Sequence, residues 1–220
     1  MPEKLRPIDG DLLAYVRDHT TAEDPFLREL RAAAVEAGIP GIWIAPEQGA
    51  FLQILLRSLG AREVVEVGTL CGVSALWMAR ALPPDGRVRT VEIEARHANF
   101  AETWLARSDV AGMVEVHRGD GREVLPSFGD RSADLAFLDA DKPGYATYFE
   151  ECLRIVRPGG VICVDNAFAF GELLSPDVPA DSSVHAVRAF NERIAADGRV
   201  QAVIVPLGDG MWVAHVPAIP

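Results

Sequence analysis

The alternation of strand-like and helix-like segments from residue 62 onward limits most strongly what this chain can fold into. Short apolar runs recur at 63–67, 88–92, 114–117, 134–138 and 160–164. Segments with helical periodicity separate them near 74–82, 95–107, 121–126 and 146–155. Strands that alternate with helices indicate a mostly parallel sheet with helices on both faces.

The two ends of the chain depart from this alternation. Apolar segments at 200–206 and 211–216 flank Leu-Gly-Asp-Gly, which is typical of an antiparallel hairpin. Apolar residues before residue 40 recur near helical spacing, and Pro25 after Asp24 resembles a helix start. The strongest amphipathic helix is predicted at 47–59, where Gly60 ends it. We therefore predict an N-terminal helical extension at 1–45 and one α/β domain at 46–220.

Composition and charge exclude several classes of partner. The 220 residues are 49% hydrophobic and carry a formal net charge of −11. A large core is therefore available, and nucleic acid or an anionic membrane is an unfavourable partner. Cys71, Cys152 and Cys163 lack metal-ligand spacing and suit a reducing compartment. Because the sequence has neither a signal-peptide core nor an apolar run near the roughly 18 residues of a membrane span, we expect a cytoplasmic protein.

A glycine-containing corner follows the first predicted strand. The sequence from Glu66 to Ser74 reads EVGTLCGVS and leads from the strand into a helix. Gly68 and Gly72 are spaced G-x-x-x-G, not the G-x-G-x-x-G of a dinucleotide site, and the carboxylate of Glu66 would repel a pyrophosphate. The same carboxylate suits a cationic ligand such as S-adenosylmethionine (SAM). A glycine turn is also common structural punctuation, so the corner alone leaves a purely structural role open.

Acidic or glycine-bearing loops follow all five predicted parallel strands. After the glycine corner, they contain Glu92, Asp120 with Gly121, Asp139, and Asp165 with Asn166. In open α/β sheets, ligands bind outside the carboxyl ends of the strands. Helix capping explains any one of these acids, but five successive strand ends favour a binding site.

Asp139, Asp165 and Asn166 form the sharpest group of candidate ligands. Neighbouring strands lie about 5 Å apart, so these side chains would converge if their strands are adjacent. Carboxylate and amide oxygens suit Mg²⁺, Mn²⁺ or Ca²⁺ better than zinc. Lys142 is a candidate base, because a nearby dication would disfavour its charged form. The alternative is an Asp139–Lys142 ion pair with Asn166 as a turn residue.

Several motifs in order resemble one enzyme family. They include APEQG at 45–49, the glycine corner, LDADK at 138–142, RPGG at 157–160 and VDN at 164–166. Over about residues 24–216, the chain resembles the small bacterial form of the cation-dependent class I O-methyltransferases of the caffeoyl-CoA and catechol O-methyltransferase type. The resemblance implies a Rossmann-like class I SAM methyltransferase fold, with a mostly parallel seven-stranded sheet and a C-terminal antiparallel hairpin.

The resemblance also assigns roles to individual residues. The cofactor-binding set would be Glu66, Gly68, Thr69, Ser74, Glu92, Asp120, Gly121 and Asp139. Within it, Ser74 would meet the methionine carboxylate, Glu92 the ribose, and Asp120 the adenine amino group. Asp139, Asp165 and Asn166 would ligate the metal, Mg²⁺ first among the candidates, while Lys142 would be the base and Asp139 a second catalytic residue.

The implied reaction is divalent-cation-dependent methyl transfer from SAM to a hydroxyl of a catechol-like small molecule. Trp43, Phe168 and Phe170 stand where the chain departs from its relatives, and they suggest an aromatic acceptor; ordinary core or dimer packing is their alternative role. The family implies a homodimer, with the N-terminal extension supplying pocket or dimer contacts. A non-catalytic SAM-fold binding module and an NAD(P)-dependent oxidoreductase are the alternative functions.

Overall fold

A computed structural model describes residues 9–218 of the chain. The strands are β1 Glu63–Val67, β2 Arg87–Glu92, β3 Val114–Arg118, β4 Ala133–Leu138, β5 Val156–Val164, β6 Gln201–Val205 and β7 Met211–His215. The helices are α1 Gly10–Asp18, α2 Pro25–Glu36, α3 Pro46–Leu59, α4 Val73–Ala79, α5 Ala95–Leu105, α6 Gly121–Val124, α7 Tyr145–Ile155 and α8 Val184–Ala195.

The strands form one seven-stranded sheet in the order β3-β2-β1-β4-β5-β7-β6. The first five are parallel, whereas β7 is antiparallel to β5 and β6 is antiparallel to β7. The predicted sheet and terminal hairpin are confirmed. Strand order reverses between β1 and β4, which pair directly, and the carboxyl ends at this reversal are where a ligand site is expected.

Helices cover both faces of the sheet, which explains why the central strands are apolar on both sides. One core combines α2, α3, α4 and α5 with one face, and a second combines α7 and α8 with the other. In β1, four of the five residues are buried, including the charged Glu66. The strand ends are therefore held rigidly by packing on both sides.

Two elements differ from the sequence-based expectation. β5 begins at Val156 and not at residue 160, with Gly159 at a φ of 81° and a register shift opposite Ala133 and Leu135. Pro158 and Gly159 are unusual in a strand interior, so the sequence pattern does not indicate that the strand starts before them. No helix is predicted at 184–195, where the structure has α8; the ring of Phe190 in α8 packs edge-on against the rings of Tyr145 and Phe149.

The N-terminal segment divides into an exposed and a buried part. α1 has no buried residue, and its apolar residue Tyr15 is 61% exposed. α2 buries Leu27, Leu30 and Ala34 in the same core as α3 and α4. Residues 1–8 of the predicted helical extension, and 219–220 at the other end, lie outside the described residues. The boundary at 45/46 stays a prediction, as do the dimer contacts.

None of the helices described between residues 9 and 218 is both long and apolar enough to cross a membrane.

Candidate active site

A cavity of about 730 Å³ opens at the carboxyl ends of the strands, around the reversal between β1 and β4. Its wall includes most of the predicted site residues: Trp43, Gly68, Thr69, Ser74, Glu92, Gly121, Asp139, Lys142, Asn166 and Phe170. Four predicted residues, Glu66, Asp120, Asp165 and Phe168, are not part of the wall. The cavity therefore gathers predicted residues that are up to 127 positions apart in sequence, from Trp43 to Phe170.

The glycine corner brings the ends of β1 and β4 into direct contact. Gly68 has a φ of +103°, and a Cβ built on it would overlap the backbone carbonyl oxygen of Asp139. The amide of Asp139 in turn donates to the carbonyl of Val67 at 2.9 Å. Gly72, with a φ of +89°, starts α4. Only a residue without a side chain fits at position 68, both for its backbone angle and for this close approach.

Glu66 lies beneath this corner and is fully buried. Its Oε2 atom accepts a hydrogen bond from the hydroxyl of Thr90 at 2.5 Å, and that hydroxyl lies 2.6 Å from the hydroxyl of Thr69. Among the described residues, its Oε1 atom has no hydrogen-bond partner. Burial raises the pKa of Glu66 to about 7, because a charged carboxylate is poorly solvated there. Glu66 therefore lies behind the cavity wall, and its contact with a cofactor stays a prediction.

Glu92 ends β2 and faces the cavity with a fixed carboxylate. Its Oε2 atom accepts from the backbone amide of Leu70 at 2.8 Å, and its Oε1 atom accepts from the amide of Glu94 at 2.9 Å. The two bonds orient the carboxylate, a group that suits the hydroxyls of a ribose.

Asp120 lies outside the cavity wall and is held by its neighbours in sequence, and its bond to an adenine amino group stays a prediction. It is the N-cap of α6, and its two oxygens accept from the backbone amide and the guanidinium of Arg122 at 2.6 to 3.1 Å. Hydrogen bonding to Arg122 lowers the pKa of Asp120. Asp120 therefore caps a helix, which is the structural role that the sequence left open for acids at strand ends. Gly121 lines the cavity, and its contact with an adenine stays a prediction.

Lys142 lies at the centre of the polar wall and is 9% exposed. Its Nζ atom donates to Oδ1 of Asn166 at 2.6 Å, to the hydroxyl of Tyr145 at 2.6 Å and to Oδ1 of Asp139 at 3.2 Å. The ion pair with Asp139 that the sequence left open as an alternative is thus present, and Asn166 has the φ of a turn residue, 61°. Burial raises the pKa of Asp139, and the ammonium of Lys142 opposes that effect.

Asp165 lies behind this group, 4% exposed, at the end of β5. Its Oδ1 atom accepts from Nε2 of Gln48 at 2.6 Å. Burial, followed by repulsion from Asp139, raises the pKa of Asp165 to about 7. In the sequence Gln48 stands out only as part of the APEQG motif, and no local pattern indicates this contact, which joins residues 117 positions apart.

These oxygens fit a divalent cation by their chemistry. Two carboxylates that repel each other, the half-buried Asp139 and the buried Asp165, lie beside the amide oxygen of Asn166, and all three are hard ligands. Within residues 9–218, no cluster of three or more His, Cys, Asp or Glu side chains is placed to hold a metal. A cation at this wall would therefore depend on the amide as well as on the two carboxylates.

The three predicted aromatic residues occupy different positions. Trp43 lines the cavity, and the guanidinium of Arg31 lies 4.9 Å from its ring centroid. Phe170 is 61% exposed at the cavity mouth, with its ring 5.7 Å from Nζ of Lys142. Contrary to the prediction, Phe168 does not line the cavity, because its ring packs over the backbone of Gly210 in the β6–β7 turn.

The sheet order, the glycine corner and the cavity at the strand reversal define a SAM-dependent class I methyltransferase. Residues 17–216 match the model of the O-methyltransferase family, and the chain belongs to that family. It is similar to a catechol O-methyltransferase from Niastella koreensis, with 37% identity over 92% of this chain and 95% of the relative. Family membership leaves the oxidoreductase and binding-module alternatives without support.

Two solved structures show the same fold. The O-methyltransferase TomG from Streptomyces achromogenes, in complex with SAM, is 36% identical and has a TM-score of 0.83 over 94% of this chain and 96% of that one. The O-methyltransferase from Bacillus cereus, in complex with SAH, is also 36% identical and has a TM-score of 0.84 over 94% and 97%.

Proposed function

We propose that this enzyme transfers the methyl group of SAM to one hydroxyl of a catechol-like aromatic compound, with a divalent cation held by Asp139, Asp165 and Asn166. The observation that carries the proposal is the contact between Gly68 and Asp139 at the floor of the cavity. It joins the corner that suits SAM to the wall that suits a cation, so donor and acceptor would meet in one cavity.

The cofactor half of the proposal is supported by the chemistry of the wall. Ser74, near the start of α4, would hold the methionine carboxylate, and the corner at Gly68 and Thr69 would lie along the methionine chain. Glu92 would accept from the ribose hydroxyls, and Gly121 would border the adenine. Two relatives of the same fold hold SAM or SAH, and a cavity of about 730 Å³ is in the range of small-molecule sites.

The acceptor half rests on Lys142 and its partners. A bound divalent cation would supply positive charge that lowers the pKa of a coordinated hydroxyl. Lys142 would take the proton of that hydroxyl, because Nζ lies beside two of the proposed ligands, Asp139 and Asn166. The hydroxyl of Tyr145 at 2.6 Å holds Nζ in this place. Fixing two reactants next to each other supplies much of the acceleration in such a reaction.

The loop that carries Phe170 favours a free acceptor over one joined to a polyphosphate carrier. Residues 158–187, which include Phe170, contain no Lys or Arg but do contain Glu172, Asp177 and Asp181. Arg188, which follows, donates to three backbone carbonyls of the same loop. A group with several phosphates would meet repulsion here, whereas Trp43 and Phe170 suit a neutral aromatic ring.

The test is methyl transfer from labelled SAM to a panel of small catechols, with Mg²⁺ and then with excess EDTA. We expect turnover that is lost with the chelator and restored by metal. Asp165→Ala should abolish turnover by removing a proposed ligand and leave SAM affinity unchanged, since the side chain of Asp165 is bound by Gln48 and is not among the predicted SAM contacts. Turnover that does not change with EDTA would contradict the role of the cation. Methyl transfer to monohydroxy compounds alone would contradict the proposal that the acceptor has two adjacent hydroxyls.

A further inference from the structure

Gln48 connects three parts of the site through one buried carboxamide. It lies in the first turn of α3 and is 2% exposed. Its Oε1 atom accepts from the backbone amide of Ala45 at 3.0 Å, and its Nε2 atom donates to Oδ1 of Asp165 at 2.6 Å. A backbone amide can only donate and a carboxylate can only accept, so one orientation of the carboxamide satisfies both partners.

The β6–β7 turn closes the remaining side of this carboxamide. Gly208 has a φ of +56°, and a Cβ built on it would overlap the carboxamide of Gln48. The glycine thus leaves just enough room for the glutamine, and the glutamine cannot swing toward the hairpin. Its donor is held against Asp165 by α3 on one side and by the terminal hairpin on the other.

We infer that Gln48 is a positioning residue that orients the carboxylate of Asp165 for a divalent cation. The inference rests on the proposed function of Asp165 as a ligand. A neutral donor suits this task, because it fixes the direction of the carboxylate without cancelling the negative charge that attracts the cation. An Arg or Lys in the same place would compete with the cation for that charge. Residues that hydrogen-bond to metal ligands commonly orient those ligands and affect metal affinity.

The test compares two glutamines of the same helix. Gln48→Met removes the donor to Asp165, whereas Gln53→Met removes a 2.8 Å hydrogen bond from Nε2 to the backbone carbonyl of Trp77, far from the carboxylates. Affinity for Mn²⁺ is measured on the full chain from the electron paramagnetic resonance signal of free Mn²⁺, and SAM affinity is measured by calorimetry. We expect Mn²⁺ affinity to fall about 10- to 100-fold in Gln48→Met and to stay unchanged in Gln53→Met.

Unchanged Mn²⁺ affinity in a folded Gln48→Met variant would overturn the inference. A general loss of structure would instead weaken SAM binding in parallel, so SAM affinity separates positioning from folding. If Gln48→Met does not fold, Gly208→Ala provides a second test, because the added methyl group would displace the carboxamide of Gln48 from the hairpin side. This variant should bind Mn²⁺ more weakly and still bind SAM. An Mn²⁺ affinity equal to that of the unaltered protein would also overturn the inference. Failure of the unaltered protein to bind Mn²⁺ would contradict the proposed cation site, and the positioning role of Gln48 would then fall with it.

Discussion

The Nζ atom of Lys142 lies 2.6 Å from Oδ1 of Asn166, on the wall that also carries Asp139. The same oxygen is a proposed ligand of a divalent cation. An ammonium and a dication compete for one oxygen, because both are drawn by the same negative charge. Cation binding would therefore release Lys142 from Asn166 and Asp139, with Tyr145 as its remaining partner, and the positive charge of the cation would favour loss of one ammonium proton to solvent. The neutral amine could then take the proton of the acceptor hydroxyl.

Lys142→Met should lower kcat by about 100-fold or more, which is the usual contribution of a general base. The apolar side chain of similar length fills the site but cannot accept a proton. Affinity for SAM, measured by calorimetry, should remain that of the unaltered protein. Turnover that survives this substitution would show that Lys142 only balances the charge of Asp139.

Glu66→Gln should remove part of the pH dependence of stability. The carboxyl is protonated up to about pH 7 in the folded protein but only to about 4.5 when unfolded, so its contribution to the free energy of unfolding falls as pH rises between these values and stays low above them. The difference between the folded and unfolded pKa values of Glu66 corresponds to about 3 kcal/mol in the free energy of unfolding. Urea unfolding of the ligand-free protein at about pH 5 and about pH 8 measures the change. Glu63→Gln, on the same strand with a 41% exposed side chain, is the control. Equal pH slopes for Glu66→Gln and the unaltered protein would contradict the assignment.

Gly68→Ala should destabilise the fold and abolish SAM binding. It adds a left-handed backbone strain of about 1–3 kcal/mol to the overlap with the carbonyl of Asp139. Gly112→Ala is a matched control, because Gly112 also has a positive φ, +83°, but has open space around its Cβ position. Thermal unfolding and SAM calorimetry compare the two variants. Similar losses of thermal stability and SAM affinity in both variants would show that backbone strain alone, and not the contact with Asp139, causes the effect of Gly68→Ala.

Phe170→Ala and Phe168→Ala should affect different properties. Phe170 faces the cavity mouth, so its loss should raise the KM of an aromatic acceptor about tenfold with little change in thermal stability. Phe168 packs on Gly210, so its loss should cost about 2 kcal/mol of stability and leave KM unchanged. Steady-state kinetics and urea unfolding separate the two effects. A larger KM change in Phe168→Ala would contradict the assignment of the cavity wall.

Local patterns in the sequence were sufficient for most of the scaffold. The strand runs, the hairpin around 207–210 and the corner at Gly68 each depend on neighbours within a few residues, and apart from the earlier start of β5 at Val156 they appear where the patterns place them. The segment Val184–Ala195 also carries a helical pattern of buried residues, Val184, Val187, Phe190 and Ile194. It was missed because a loop rich in Pro, Asp and Ser precedes it.

The partners of the site residues depended on tertiary structure. The sequence placed Asp139, Asp165 and Asn166 at neighbouring strand ends, but only the folded chain sets Gln48 against Asp165 and Thr90 against Glu66. Likewise, Ala169 and Phe170 adopt φ angles of 54° and 59°, so the chain reverses and sends two nearby phenylalanines to different surroundings. Periodicity reports which side of an element is buried. It carries no information on which distant side chain lies opposite, or on where an irregular backbone aims the next one.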